Sequence, residues 1–267
     1  MRLVTTFPSQ AECEKAIGLL HSLSLPFTVL SPEPGYARVA VPAIVVDEEV
    51  RSRVASLAPW RFSCSGWVDY QPATTRVPES RPPEFDPDVF GQILIMVLQS
   101  CLGDPTKIRA IAHITGDLSG VFPYMNAVMP DAFYNPQGPA FTWRDGYRMI
   151  TLYPRRIAVA KADEIVDLWR VLELLRVRFN TCWQHRGEIT PSFTLRERPP
   201  ALEIYHRLPR TNCGACGETT CLAFAFKLWA GLTPLFRCAP VFSGDYRHLE
   251  GALLEICAGL GVRKEQP

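Results

Sequence analysis

Four of the chain's nine cysteines fall in one stretch, residues 208–240, "LPRTNCGACGETTCLAFAFKLWAGLTPLFRCAP". The spacing is Cys213-x2-Cys216-x4-Cys221-x16-Cys238, so three thiols arrive together and the fourth returns from a distance. Thiolates are soft ligands suited to zinc or to iron–sulfur clusters, and spacing weighs between the two. A zinc ion draws four sulfurs to ~2.3 Å from one point, usually through two short Cys-x2-Cys turns. Here there is one such turn, then a four-residue step and a long return. That asymmetric wrap suits a 4Fe–4S cube, whose iron corners are spread apart. Zinc stays as the alternative.

The rest of the stretch fits the same chemistry. Gly214 and Gly217 allow left-handed backbone angles and close approach of N–H groups to sulfur. Such donors are one of the levers on a cluster's reduction potential. Thr219 or Thr220 can cap a helix beginning at Cys221, which turns a positive helix end toward an anionic site. A helix over residues 221–230 carries the chain ~15 Å outward. Gly231 then stops it, and residues 232–238, extended, span ~23 Å, enough to bring Cys238 back. Leu222, Ala225, Phe226 and Trp229 are expected to shield the site, leaving Phe224 and Leu228 to be covered by other elements.

A motif of this form, followed by an apolar helix and a distant cysteine, resembles a small 4Fe–4S domain shared by several proteins. They include the large subunit of corrinoid iron–sulfur proteins (the gamma subunit of acetyl-CoA decarbonylase/synthase complexes) and the B subunit of Rnf electron-transport complexes. The resemblance spans about residues 202–258, with Ala239 where that family often has a second proline. It implies that Cys213, Cys216, Cys221 and Cys238 ligate one 4Fe–4S cluster used for low-potential electron transfer. A protein redox partner follows from that, such as a corrinoid-bearing enzyme. Residues 1–60 resemble a small family of selenium or sulfur carriers. The cysteine which that family carries between its second and third strands is missing from "SPEPGYARVAV", so no carrier chemistry is read from it.

The elements that position the cysteines read as an α+β chain in four parts. Residues 1–68 form a small β-α-β-β-α unit: "LVTTF", a helix capped by Ser9, "FTVL", "YARVAV", and a helix over "VVDEEVRSRVASL". Residues 69–87 are rich in proline and read as a stiff linker that spaces its neighbours apart. Residues 88–187 form a central sheet-plus-helix unit. Its expected parts are a buried helix over residues 89–102, a strand at "KIRAIAHI", a hairpin turning at Asp145-Gly146, a strand at "RIAVAK", and a long helix capped by Asp163. Residues 188–267 form the cluster domain, closed by a helix in "YRHLEGALLEICAGLGV".

Composition excludes more than it assigns. Apolar residues make up 47% and charged residues 21%, as in a folded protein, and a net charge of +1 gives no case for nucleic acid. The most apolar run, "ILIMVLQSCL", is too short to span a bilayer, and the N-terminus does not read as a signal peptide. The expected compartment is the cytoplasm, where thiols stay reduced and clustered cysteines signify metal rather than disulfides. Cys13 and Cys182 lie on apolar helix faces, and Cys64, Cys101 and Cys257 are isolated, so all five read as structural. "AHITG" around His113 lacks the aspartate of a cobalamin-ligating motif, and His206 reads as an exposed residue. Residues 144–186 carry nine Arg/Lys against five Asp/Glu, read as a solvated helix face with docking of an acidic partner as the alternative. No nucleophile–base pair stands out. The chain reads as an electron-transfer or accessory protein rather than a stand-alone enzyme, the competing reading being a non-redox adaptor or assembly protein with a structural cluster or zinc site.

Overall fold

A computed structural model describes residues 1–57, 62–74, 81–101, 104–196 and 200–258. The fold is α+β, with two antiparallel sheets followed by a helical lobe. The first sheet is built from β1 (Arg2–Thr5), β2 (Thr28–Leu30), β3 (Ala43–Asp47) and β4 (Val68–Asp69) in the order β2-β3-β1-β4. Its helices are α1 (Gln10–Ser22), whose N-cap Ser9 accepts from the Glu12 N–H, and α2 (Glu48–Leu57).

The expected third strand at "YARVAV" is instead the end of a 3-10 turn, Pro34–Tyr36, and an irregular turn after it, and the strand lies further on in "AIVVD". The cause is burial on both sides. Ile44 and Val46 face the helices with Phe7, Cys13 and Leu20. Ala43 and Val45 face the central unit with Val4, Val68 and Tyr36. A strand covered on both faces loses its alternation, and its run of apolar residues merges into the following helix.

The second sheet comprises β5 (Ile93–Cys101), β6 (Asp104–Ile114), β7 (Phe133–Asn135), β8 (Ala140–Asp145), β9 (Arg148–Tyr153) and β10 (Arg156–Ala162). Their order is β5-β6-β10-β9-β8-β7, antiparallel throughout. Residues 93–101 are therefore a strand and not the expected buried helix, and Leu102 lies outside the described residues. The run is rich in β-branched residues, and Ile93, Ile95 and Leu98 face the core around a bulge. The strand at "KIRAIAHI" and the hairpin hold. The hairpin loop is Gly146–Tyr147, one residue later than expected, because Asp145 still pairs with Arg148.

One face of this sheet packs against α3 (Phe122–Val128) and α4 (Ile165–Gln184), where Phe122, Phe141 and Phe179 meet ring to ring. The N-cap of α4 is Glu164, which accepts from the Val166 and Asp167 N–H groups. Asp163, the expected cap, is engaged by Lys107, Tyr147 and Arg148 instead.

The proline-rich stretch does not hold the two sheets apart. Ser65 accepts at its carbonyl from the Leu98 N–H at 2.7 Å and donates its hydroxyl to the Ile95 carbonyl at 2.5 Å, joining the first unit to β5. Downstream, Arg176 of α4, 1% exposed, binds Asp88 at 2.7 Å, Glu173 at 2.8 Å and the Pro83 carbonyl at 2.7 Å. Asn180 accepts from the Val89 N–H at 2.8 Å. Residues 83–90 are thereby strapped to α4.

Removing one member of a buried ion pair leaves the other charge uncompensated, at a cost of about 3–5 kcal/mol. Arg176→Ala is expected to lower the urea unfolding free energy by an amount in that range. A loss below about 1 kcal/mol, the value of an exposed pair, would show that the strap is not structural.

Candidate functional site

The lobe comprises α5 (Ala201–His206), the cysteine loop, α6 (Cys221–Ala230), α7 (Ala239–Phe242) and α8 (Glu250–Ala258). The last residues of the expected closing helix, 259–262, lie outside the described residues. Ile204, Leu208, Phe224, Leu228, Val241 and Leu253 form its core, and Cys221, Cys238 and Cys257 are part of that core.

Both ends of α6 are fixed by identifiable groups. Thr220 is the N-cap, its Oγ1 accepting the Ala223 N–H at 3.0 Å. Asn212 sits in the left-handed region, φ 54°, and its Oδ1 accepts the Cys221 N–H at 2.9 Å. Two side chains thus hold the first turn of the helix against the cysteine loop. Gly214 and Gly217 have φ of 74° and 87°, and open space surrounds both, so the loop needs their backbone angles and not their lack of bulk.

At the other end Gly231 stops the helix at φ 68°, as expected. A Cβ there would lie 1.9 Å from Nη1 of Arg144 on β8. The guanidinium of Arg144 therefore lies against the last turn of α6, where the carbonyl end of the helix favours a cation. Its Nη1 is buried without a hydrogen-bond partner among the described residues, and burial lowers its pKa. Phe133 of β7 also packs on the lobe core.

The four cysteines differ in environment but share a neighbourhood. Cys213 is exposed, Cys216 half-buried, Cys221 and Cys238 buried. The Ala215 N–H and the Thr211 hydroxyl hold the Cys213 thiol below its usual range. Burial pushes Cys238 up to about 11, and the charges of Cys216, Cys221 and Cys213 add to the rise, so all three act on it electrostatically. Cys238 returns on a 3-10 turn, Leu235–Arg237, rather than the extended path expected. Among the described residues, no three His, Cys, Asp or Glu side chains converge tightly enough to hold a single metal ion.

Of the face of α6 expected to shield the site, Ala225 is buried and Trp229 packs on the lobe core, but the other two residues are not covered. Leu222 and Phe226 are 39% and 55% exposed, whereas Phe224, Ala225 and Leu228 are buried. These three stand three, four and seven positions after Cys221, the helical stripe on which that cysteine itself lies. The other cysteines are core residues or nearly so: Cys13, Cys101, Cys182 and Cys257 are buried and Cys64 half-buried. Burial pushes the Cys13 thiol up to about 11 and Cys257 up to about 12. His113 and His206 are exposed. Sequence reasoning passed over Asn212 and Arg144. Asparagine's tolerance of left-handed angles, immediately before Cys213, was a usable signal for the first. Nothing local marked the second.

Residues 208–240 match a family described as "Putative Fe-S cluster". The match covers the cysteine loop, α6 and the return to Cys238. The chain is similar to the corrinoid/iron-sulfur protein large subunit of Moorella thermoacetica, 47% identical over 51 residues, which is 19% of this chain and 11% of that protein. It is also similar to subunit gamma of the acetyl-CoA decarbonylase/synthase complex of Methanothermobacter thermautotrophicus, 49% identical over 47 residues, 18% of this chain and 10% of the relative. The corresponding subunit of Methanosarcina acetivorans is 70% identical over 27 residues, 10% of this chain and 6% of the relative. The chain thus matches only about a tenth of the length of the first two. No solved structure matches it. No helix among the described residues is long and apolar enough to cross a membrane.

The two ends of α6 give separable expectations. Thr220→Ala removes one capping bond and is expected to cost about 1 kcal/mol. Gly231→Ala adds left-handed strain of about 1–3 kcal/mol and also displaces Arg144, so its thermal unfolding midpoint should fall further than that of Thr220→Ala. The reverse order would contradict the Arg144 contact.

Proposed function

We propose that this chain binds one 4Fe–4S cluster through Cys213, Cys216, Cys221 and Cys238 and passes single electrons to or from a protein partner. The observation that carries the reading is that Cys221 and Cys238, sixteen intervening residues apart, lie in one buried cluster with Cys216 packed against it. The donor set supports it, being four thiols with backbone N–H groups beside them and an apolar wall behind two of them. When bound, a cube of this kind supplies one-electron redox chemistry.

The protein's part is placement. Cys221 and Cys238 anchor the buried side, in contact with Phe224 and its neighbours, where water is excluded. Cys213 and Cys216 close the outer side on a loop whose shape Gly214 and Gly217 permit. Ala215 and Thr211 donate to the Cys213 sulfur, a contact of the type that raises a cluster's potential. The exposed position of Cys213 leaves that side open to a partner. One matched relative carries "corrinoid" in its name, and a corrinoid-bearing protein is the partner class this reading favours.

A second reading, a non-redox adaptor or assembly protein whose cluster or zinc only holds the lobe in shape, draws on a different observation. Cys221, Cys238 and Cys257 are part of the lobe core, and a lobe this small has little apolar area to spare. Two measurements separate the readings. In anaerobically reconstituted protein, serine at any of the four positions is expected to lower bound iron and visible absorbance. The parent should bleach reversibly with a strong reductant and then give a paramagnetic signal. Iron retained unchanged in all four serine variants would reject the ligand set, and a cluster that resists reduction would favour the structural role.

A further inference from the structure

We propose that the outer face of the six-stranded sheet, beside the iron–sulfur lobe, seats an acidic amphipathic helix of a partner protein. The inner face is filled by α3 and α4. The outer face of an antiparallel sheet normally meets water and carries polar residues. Here the register sets Thr151, Ala158, Ile111 and Val97 side by side across β9, β10, β6 and β5. The adjoining row runs Met149, Ala160, Arg109. Met149 is 48% exposed, and methionine is the side chain best able to repack around a guest.

These residues, Val97 apart, line a trough of about 240 Å³. Ala158 and Ala160 of β10 make its floor, with Met149 and Thr151 on one wall and Arg109 and Ile111 on the other. The walls stand two strand spacings apart, about 10 Å. That is the breadth of one α-helix with its side chains. At its β8 end the Met149 row continues to Arg144, against which α6 ends, so an occupant lies alongside the lobe.

Charge selects the occupant. The cations of residues 144–186 that lie inward are already used: Arg148 and Arg170 hold Asp167, and Arg176 holds Asp88 and Glu173. On the outer face, Arg156 sits beside His113 and stacks on Tyr153 at 4.3 Å. Among the described residues no carboxylate pairs with Arg109 or Arg156, and the rows named here contain no acid. A second copy of the chain laid on this face would set guanidinium against guanidinium. A helix with an apolar stripe and flanking Asp or Glu meets both the trough and the charges. Of the basic residues first read as a solvated helix face, Arg156 is, on this account, a docking residue of the sheet, joined by Arg109 from outside that stretch.

The inference rests on the reading that the chain works with a protein partner, but its test makes no use of the cluster. A photo-cross-linking benzoylphenylalanine replaces Thr151 in the full chain, in the cells that naturally make it, and the adduct is sequenced by mass spectrometry. The expected result is one foreign segment, net negative, with apolar residues at helical spacing. Its yield should fall about tenfold in an Arg109→Glu/Arg156→Glu background, with the milder Arg109→Gln/Arg156→Gln pair giving an intermediate loss. The circular dichroism melt of each variant should match the parent's. An adduct with a second copy, an adduct with a neutral or basic segment, a yield indifferent to charge reversal, or no adduct overturns the proposal. Iron content measured on the same samples keeps a failed docking face distinct from a failed cluster.

Discussion

The placement of one short helix, α6, is the constraint on which the lobe depends. Its first residue is a cysteine, and on the proposed ligand set the loop before it brings two more thiols to the same end. On the same proposal the chain leaving its far end travels back to deliver a fourth. The termini of the helix therefore have to be held independently. Thr220 and Asn212 satisfy the first turn with side-chain oxygens, so Cys221 cannot fray away from the loop. Gly231 ends the helix at a left-handed angle, and Arg144 of the sheet lies against that turn.

The larger part of the molecule then acts as a mount. The lobe has a small core of its own and leans on β7 and β8 through Phe133 and Arg144. That sheet is backed by α4 and its aromatic cluster. The N-terminal sheet shares the same apolar core through Val4, Val45 and Val68. Ser65 and Arg176 supply the polar ties, one to β5 and one to the proline-rich segment. The end of that segment is held to α4, because Arg176 finds both a carboxylate and a carbonyl on it.

Local chemistry was legible in the sequence wherever a few adjacent residues decide the outcome. The threonine cap, the glycine stop, the hairpin and the stripe of α4 are all of this kind. Failures came where burial on two sides erased periodicity. "ILIMVLQSCL" is apolar nearly throughout, and only its β-branched residues hinted at the strand it forms. The last three residues of "AIVVD" were absorbed into the helix after it, since both faces of the strand are covered. The buried side of α6 was misassigned in part, because the helix is apolar almost all round, and what it packs against lies elsewhere in the chain. Arg144 is some ninety residues from the helix end it touches, and no pattern in its own neighbourhood could announce that contact.

The central claim is that four thiolates of the lobe share one iron cube. A Mössbauer spectrum of the anaerobically reconstituted chain, loaded with isotopically enriched iron, tests it most directly. The account predicts the averaged, delocalised iron of a 4Fe–4S cluster as the dominant species, with about four iron and four sulfide per chain. Mononuclear or two-iron species alone, or a chain that takes up one zinc and no iron, would contradict it.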